Sequence, residues 1–194
     1  MRTVRIVLWV LVAVALAALG FAYLRQPPAE PHPTKTQISF GGPFVLVDSK
    51  GQPFASSRLT GKPYAMFFGF THCPDVCPTT LARLVKLRRQ LDGDESFQIV
   101  FVTVDPERDG PTEVGRYTEL FGAPIIGLTG STAQIAQVKK EFGIFSEKVG
   151  TGDDYTVDHT ASVLLFDRAG QFQSTISPDE TDPAALAKLK RLTT

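Results

Sequence analysis

Apolar and polar positions change period several times along the chain. From Ile6 to Leu24 it reads IVLWVLVAVALAALGFAYL, 19 residues without a charge. At ~1.5 Å per residue a helix here spans about 28 Å, close to the ~30 Å hydrocarbon core of a bilayer. Arg2 and Arg5 precede the run, so one transmembrane helix is expected with the N-terminus on the cytoplasmic side and the remainder exported. A cleaved signal peptide, cut near Ala15 or Ala17, is the competing reading and exports the remainder equally. Residues 25–37, RQPPAEPHPTKTQ, carry Pro27, Pro28, Pro31 and Pro33 and predict an extended, semi-rigid spacer; His32 within it reads as solvated chain. The expected organisation is a membrane anchor at 1–25, a Pro-rich linker at 26–38 and a folded domain at 39–194.

Within that domain FVLVDSKGQPF (44–54) predicts a strand, a turn at Ser49–Gly51 and a short return. YAMFFGF (64–70) and FQIVFVTV (97–104) are near-continuous apolar runs, as strands buried on both faces require. Leu81, Leu84, Leu87 and Leu91 recur at helical spacing after Pro78. A second helix is expected after Asp109, with Pro111 in its first turn and Val114, Tyr117, Leu120 and Phe121 as its stripe. IIGL (125–128) predicts a short strand. Ser131 and Gln134 predict a capping box for a helix with Ile135, Val138 and Phe142 inward. ASVLLFD (161–167) and QFQST (171–175) predict a hairpin, and Asp182-Pro183 opens a last helix with Leu186 and Leu189 inward. Strands alternating with helices and ending in an antiparallel hairpin predict an α/β fold. The expected layout is a mixed sheet flanked by helices that resembles thioredoxin.

Composition alters little. The chain has 194 residues and no net charge, so no broad electrostatic case for nucleic acid exists. Without Arg2, Arg5 and Arg25 the 20 basic residues fall to 17 against 20 acidic, a net charge of about −3.

The chemistry concentrates in FFGFTHCPDVCPTT (67–80), which holds the only two cysteines, Cys73 and Cys77. It lies at the carboxyl end of the first central strand, where open α/β sheets carry their sites. Pro78 is welcome at a first helical position, so the helix is expected to start there with Cys77 at its cap, where a thiol is biased toward thiolate. A structural disulfide closing so small a loop would contribute about 2 kcal/mol, a weak reason for the pair. Soft-metal binding or disulfide exchange remain. Two histidines stand in the domain. His72 is expected at the rim. His159, in DYTVDHTASVLLFD (154–167), precedes the strand expected beside the Cys-bearing one.

GFTHCPDVCPTTL (69–81), VTVDPERDGP (102–111) and YTVDHTASVLLFDRAG (155–170), in this order behind an N-terminal anchor, resemble the Sco (SenC/PrrC-type) family of copper-binding assembly proteins. The resemblance implies a thioredoxin-like fold and one copper ion, copper(I) or copper(II), on Cys73, Cys77 and His159. It further implies a role in maturing the copper centre of cytochrome c oxidase. Cytochrome c oxidase subunit II is then the recipient, with an upstream copper donor and a thiol reductant as further partners. The setting would be a bacterial-type inner membrane, with the N-terminus cytoplasmic and the domain periplasmic. Asp105 is expected to support the ligands or dock a partner, and Asp158 to orient the His159 loop. Arg168 stands where the family often has proline, which touches only the hairpin turn.

Two functions follow. One is a metallochaperone holding copper on all three ligands. The other is a thiol–disulfide oxidoreductase that reduces the cysteines of the oxidase's copper site with Cys73 and Cys77 alone. His159 separates them, because exchange chemistry does not need it.

Overall fold

The computed structural model describes residues 2–24, 40–91, 93, 96–152 and 154–193. The chain divides into two compact units, Met1–Ser39 and Phe40–Thr194. In the first, α1 (Arg2–Leu24) is a 23-residue helix. Several of its side chains lie outside the described set, and among the described residues no helix is long and apolar enough to cross a membrane. The expected spacer at 26–38, with His32, also lies outside the described residues.

The second unit is built on a seven-stranded sheet. Its strands are β1 (Val45–Asp48), β2 (Pro53–Ala55), β3 (Tyr64–Gly69), β4 (Gln98–Thr103), β5 (Ile126–Thr129), β8 (Val163–Phe166) and β9 (Phe172–Ile176). They lie in the order β2-β1-β5-β4-β3-β8-β9. The central trio β5, β4 and β3 is parallel, and the outer pairings are antiparallel. The mixed sheet is flanked by α2 (Val76–Arg89), α3 (Pro111–Glu119), α4 (Thr132–Glu141) and α5 (Asp182–Thr193). This is the α/β layout expected from the strand and helix periods.

The apolar runs explain the centre. All six residues of β3 are buried, as are five of six in β4, because helices cover both faces of the parallel strands. Gly127 on β5 lets α3 approach closely: a Cβ there would stand 2.5 Å from a Val114 methyl. The capping box on α4 forms as predicted, with Ser131 accepting from the Gln134 N–H. Leu120 is a correction. It is 79% exposed, because α3 ends at Glu119 and Leu120 falls outside the inward stripe.

Two short strands stand apart. β6 (Ser146–Val149) and β7 (Thr156–His159) form their own antiparallel sheet, with His159 opposite Ser146. The sequence pattern did not predict this hairpin.

Candidate metal centre

The site is assembled from three segments at the carboxyl end of the parallel strands. β3 ends at Gly69, level with Thr103 of β4. The chain then crosses Phe70–Asp75 into α2. The helix starts at Val76 rather than at Pro78, with Asp75 at its N-cap. Cys77 is therefore the second helical residue and Pro78 the third. Proline is tolerated there because the first four helical N–H groups lack intrahelical acceptors in any case. The N–H of Cys77 donates instead to Cys73 Sγ at 3.3 Å, so one cysteine sulfur caps the helix that carries the other. The Cys73 N–H bonds back to the Phe70 carbonyl at 3.3 Å.

His159 arrives from the last position of β7. Its Nδ1 lies 3.0 Å from the Thr160 carbonyl. A carbonyl only accepts, so Nδ1 carries the proton and the Nε2 lone pair is left facing the cysteines. Nε2 is 3.4 Å from Cys77 Sγ, within reach of the thiol proton. The imidazole is wedged edge-on against Phe70 (centroids 5.8 Å apart, planes at 90°) and Phe67 (6.0 Å, 69°). One ligand atom from each of Cys73, Cys77 and His159 lies within 4.8 Å of the other two. The structure thus brings together the three residues expected to ligate, across 82 positions of sequence between Cys77 and His159.

Both cysteines are free thiols; Cys77 is fully buried and Cys73 partly exposed. Burial, with the neighbouring Cys73 sulfur adding to it, pushes the Cys77 thiol far above its ordinary value. That is opposite to the thiolate bias expected from the helix terminus. Desolvation at a fully buried sulfur outweighs a partial charge of the helix dipole. Burial also lowers the His159 pKa, which keeps the imidazole neutral and able to coordinate. Two soft sulfurs and a neutral imidazole suit a soft ion, which would displace the thiol protons on binding.

Gly69 makes room for this. A Cβ there would stand 2.8 Å from Cys77 Sγ and 3.0 Å from the Phe67 and Phe101 rings. The sulfur occupies the space a side chain would need.

The other expected residues lie further out. Asp105 is buried, and its carboxylate accepts from Tyr155 Oη (2.7 Å) and Arg108 Nε (2.6 Å). Asp158 is exposed on β7 opposite Glu147, and its charge raises the His159 pKa by less than burial lowers it. His72 is exposed at the rim, 3.0 Å from Thr71 Oγ1. Asp109, expected only as a helix opener, proves central to the loop. It is fully buried and accepts from Thr71 N (2.9 Å), Thr71 Oγ1 (2.6 Å) and Thr103 Oγ1 (2.6 Å). These bonds fix the turn two residues before Cys73. Its signals in sequence were its place before a helix and as the third acid of VDPERD, after Asp105 and Glu107.

Comparison with known proteins agrees with this geometry. The chain is 41% identical over 137 residues to mouse (Mus musculus) "Protein SCO2 homolog, mitochondrial", covering 68% of this chain and 53% of that protein. It is 36% identical over 158 residues to "Protein SCO2, mitochondrial" of Saccharomyces cerevisiae, covering 79% and 52%. The chain therefore spans about half the length of these relatives. Among solved structures it matches copper-bound ScoI of Bradyrhizobium japonicum with a TM-score of 0.72 and 42% identity, over 79% of this chain and 99% of that one. Copper-bound yeast Sco1 matches with a TM-score of 0.71 and 33% identity, over 79% and 87%. The family model described as SCO1/SenC matches residues 32–194, which takes in the whole of the second unit with its VDPERD and VDH motifs. The chain belongs to the SCO1/SenC family.

Proposed function

We propose that this chain binds one copper ion through Cys73, Cys77 and His159 and hands it on during assembly of the copper centre of cytochrome c oxidase. The observation that carries the reading is the convergence of two sulfurs and an unprotonated imidazole nitrogen within 4.8 Å. The copper in the ScoI and Sco1 structures supports the choice of metal. Cys73, partly exposed, is the sulfur an exchanging partner reaches first; Cys77 and His159 hold the ion from below. Copper loading requires the dithiol, so a thiol reductant and an upstream copper donor belong to the cycle, with oxidase subunit II as recipient. Asp105 and Asp158 act indirectly, the first through its hold on Tyr155 and Arg108, the second through its charge near His159.

The same reading places the domain outside a bacterial-type inner membrane, tethered by α1. Supporting it are the charge-free run 6–24, the 23-residue length of α1, and the exposure of Trp9, Leu11, Leu16 and Phe21 along it. Resistance of the chain to carbonate extraction from membranes tests the tether.

One observation favours a second reading, the thiol–disulfide oxidoreductase: a partly exposed thiol beside a buried one. In that case Cys73 attacks a partner disulfide and Cys77 resolves the mixed disulfide, so two electrons pass and Cys73–Cys77 is left oxidised. Copper(I) titration of the reduced full-length chain in detergent against a competing chelator separates the two. Tight one-to-one binding that weakens at least tenfold in His159→Ala supports the chaperone. Binding indifferent to His159 moves the function to dithiol exchange.

A further inference from the structure

The hairpin of β6 and β7 pairs with no strand of the main sheet, yet it supplies one of the three ligands. Something else must fix it in place. At its far end Thr160 and Phe145 exchange two bonds, Thr160 N to the Phe145 carbonyl (3.0 Å) and Phe145 N to Thr160 Oγ1 (3.1 Å). These tie the two strands to each other. A tie between the hairpin and the VDPERD loop comes from the other end, at Tyr155, one residue before β7.

There the Arg108 side chain makes four contacts. Its Nε donates to Asp105 Oδ2 at 2.6 Å and its Nη1 to the Tyr155 carbonyl at 2.9 Å. Its guanidinium carbon lies 3.6 Å from the centroid of the Tyr155 ring and 5.9 Å from that of Phe70. Tyr155 returns a hydrogen bond to the other oxygen of Asp105 at 2.7 Å. Lys148 of β6 covers the opposite part of this cluster, 4.5 Å from the Tyr155 centroid and paired to Glu107 at 2.5 Å. The planar fork of arginine suits this place: it grips a carboxylate and a carbonyl while stacking on a ring, which an ammonium cannot do. Phe70 in turn packs on the His159 imidazole and bonds the Cys73 N–H.

We infer that Arg108 is a positioning residue for the metal: it pins the hairpin at Tyr155 and backs Phe70, and so sets where His159 stands relative to Cys73 and Cys77. The inference rests on the copper reading of the site, but its structural half is separable. Arg108 reaches the VDPERD loop, the cysteine loop and the histidine hairpin with one side chain. Phe70, which touches both Arg108 and His159, carries that hold on to the imidazole.

The test uses the full-length reduced chain in detergent, as Arg108→Gln and Tyr155→Phe, each with and without His159→Ala. Copper(I) affinity is read by chelator competition, and hydrogen exchange is followed in the metal-free protein. Arg108→Gln is expected to weaken copper(I) about tenfold in the native background, and less than twofold where His159 is already alanine. Amides of Thr156–His159 should exchange about tenfold faster while those of β3 and β4 stay unchanged. Arg108→Lys should restore neither, because it lacks the fork. If Arg108→Gln fails to fold, Tyr155→Phe carries the same comparison through the lost bond to Asp105. Equal loss in both backgrounds, or no change in affinity and exchange, overturns the inference. If copper binding proves indifferent to His159 while the hairpin exchanges faster in Arg108→Gln, the pin stands and the copper ligand set falls.

Discussion

Gly69→Ala is the sharpest probe of how the site is packed. Gly69 is not in a left-handed conformation, so alanine meets no backbone strain there. Restricting the unfolded chain would by itself stabilise by about 0.4–1 kcal/mol. Against this, the new methyl stands 2.8 Å from Cys77 Sγ and 3.0 Å from two phenyl rings. An ordinary carbon contact needs roughly 3.5–4.0 Å, so the sulfur must retreat by about 0.7 Å or more. Overpacking of this kind costs about 1–3 kcal/mol, so the net effect is destabilising, on the order of 1–2 kcal/mol. For a domain of this size that lowers Tm by roughly 2–8 °C in the metal-free protein. The same displacement shifts Cys77 Sγ from its present place 3.4 Å from Nε2 of His159, so copper(I) affinity should fall at least tenfold. Thermal unfolding and chelator competition on one preparation measure both. Cys77→Ala removes the closest clash, so the thermal cost of Gly69→Ala should shrink in that background, leaving only the ring contacts. An unchanged Tm with affinity within twofold of the native protein would refute the packing argument.

Four further outcomes are expected. Iodoacetamide should alkylate Cys73 well before Cys77 in the reduced metal-free protein, read by peptide mass, because Cys77 is fully buried and its thiol is held protonated. That raised Cys77 pKa contributes stability that is whole below the ordinary thiol value of 9.0 and is lost as pH rises toward the folded value. Denaturant unfolding should therefore weaken from about pH 9 upward, and Cys77→Ser should remove that slope; Tyr64, pushed up to about 12 by burial, adds a later slope that the variant keeps. His159, lowered by burial, should titrate below 6.5 by NMR as the Nδ1–H tautomer; its contribution to stability is present above 6.5 and is lost as pH falls through the folded value. Asp109→Asn removes a buried charge that three donors serve; its amide oxygen can keep Thr71 N–H and Thr103 Oγ1, but its NH2 then faces Thr71 Oγ1, which must turn from donor to acceptor. It should cost about 2–4 kcal/mol, seen as a Tm drop on the order of 10 °C, with weaker copper binding as the turn before Cys73 loosens.

The parts of the fold that bury themselves by simple periodicity were legible in the sequence. β3 and β4 show as unbroken apolar runs, α4 by its capping box, and β8 and β9 by their turn. The β6–β7 hairpin was not legible, because SEKV has one half-buried residue and three exposed ones and shows no alternation. That hairpin is held by side chains from elsewhere, Arg108 on the Tyr155 carbonyl and Lys139 on Ser146 Oγ, and a local pattern cannot report a distant grip. The convergence of Cys73, Cys77 and His159 was legible through residue type and motif. The protonation of Cys77 was not, since helix position argued one way and burial, a tertiary quantity, decided the other. Asp109 was hidden for the same reason: an acid before a helix reads as a cap until its three donors are seen converging from β4 and the cysteine loop.

The sequence spacing of the ligands has a thermodynamic consequence. Cys73 and Cys77 are four residues apart, so in the unfolded chain they remain close enough to share a soft ion. His159 lies 82 residues from Cys77 and can join them only once β7 is in place. An ion that binds both forms stabilises the native one only by the difference in its two affinities. The two sulfurs contribute to both sides of that balance, and the imidazole to one. Copper should therefore raise the melting temperature by an amount set almost wholly by His159. In His159→Ala it should bind the chain yet scarcely distinguish folded from unfolded. On the proposed copper reading, such an arrangement reports its own folding: only the finished domain can offer the ion all three donors.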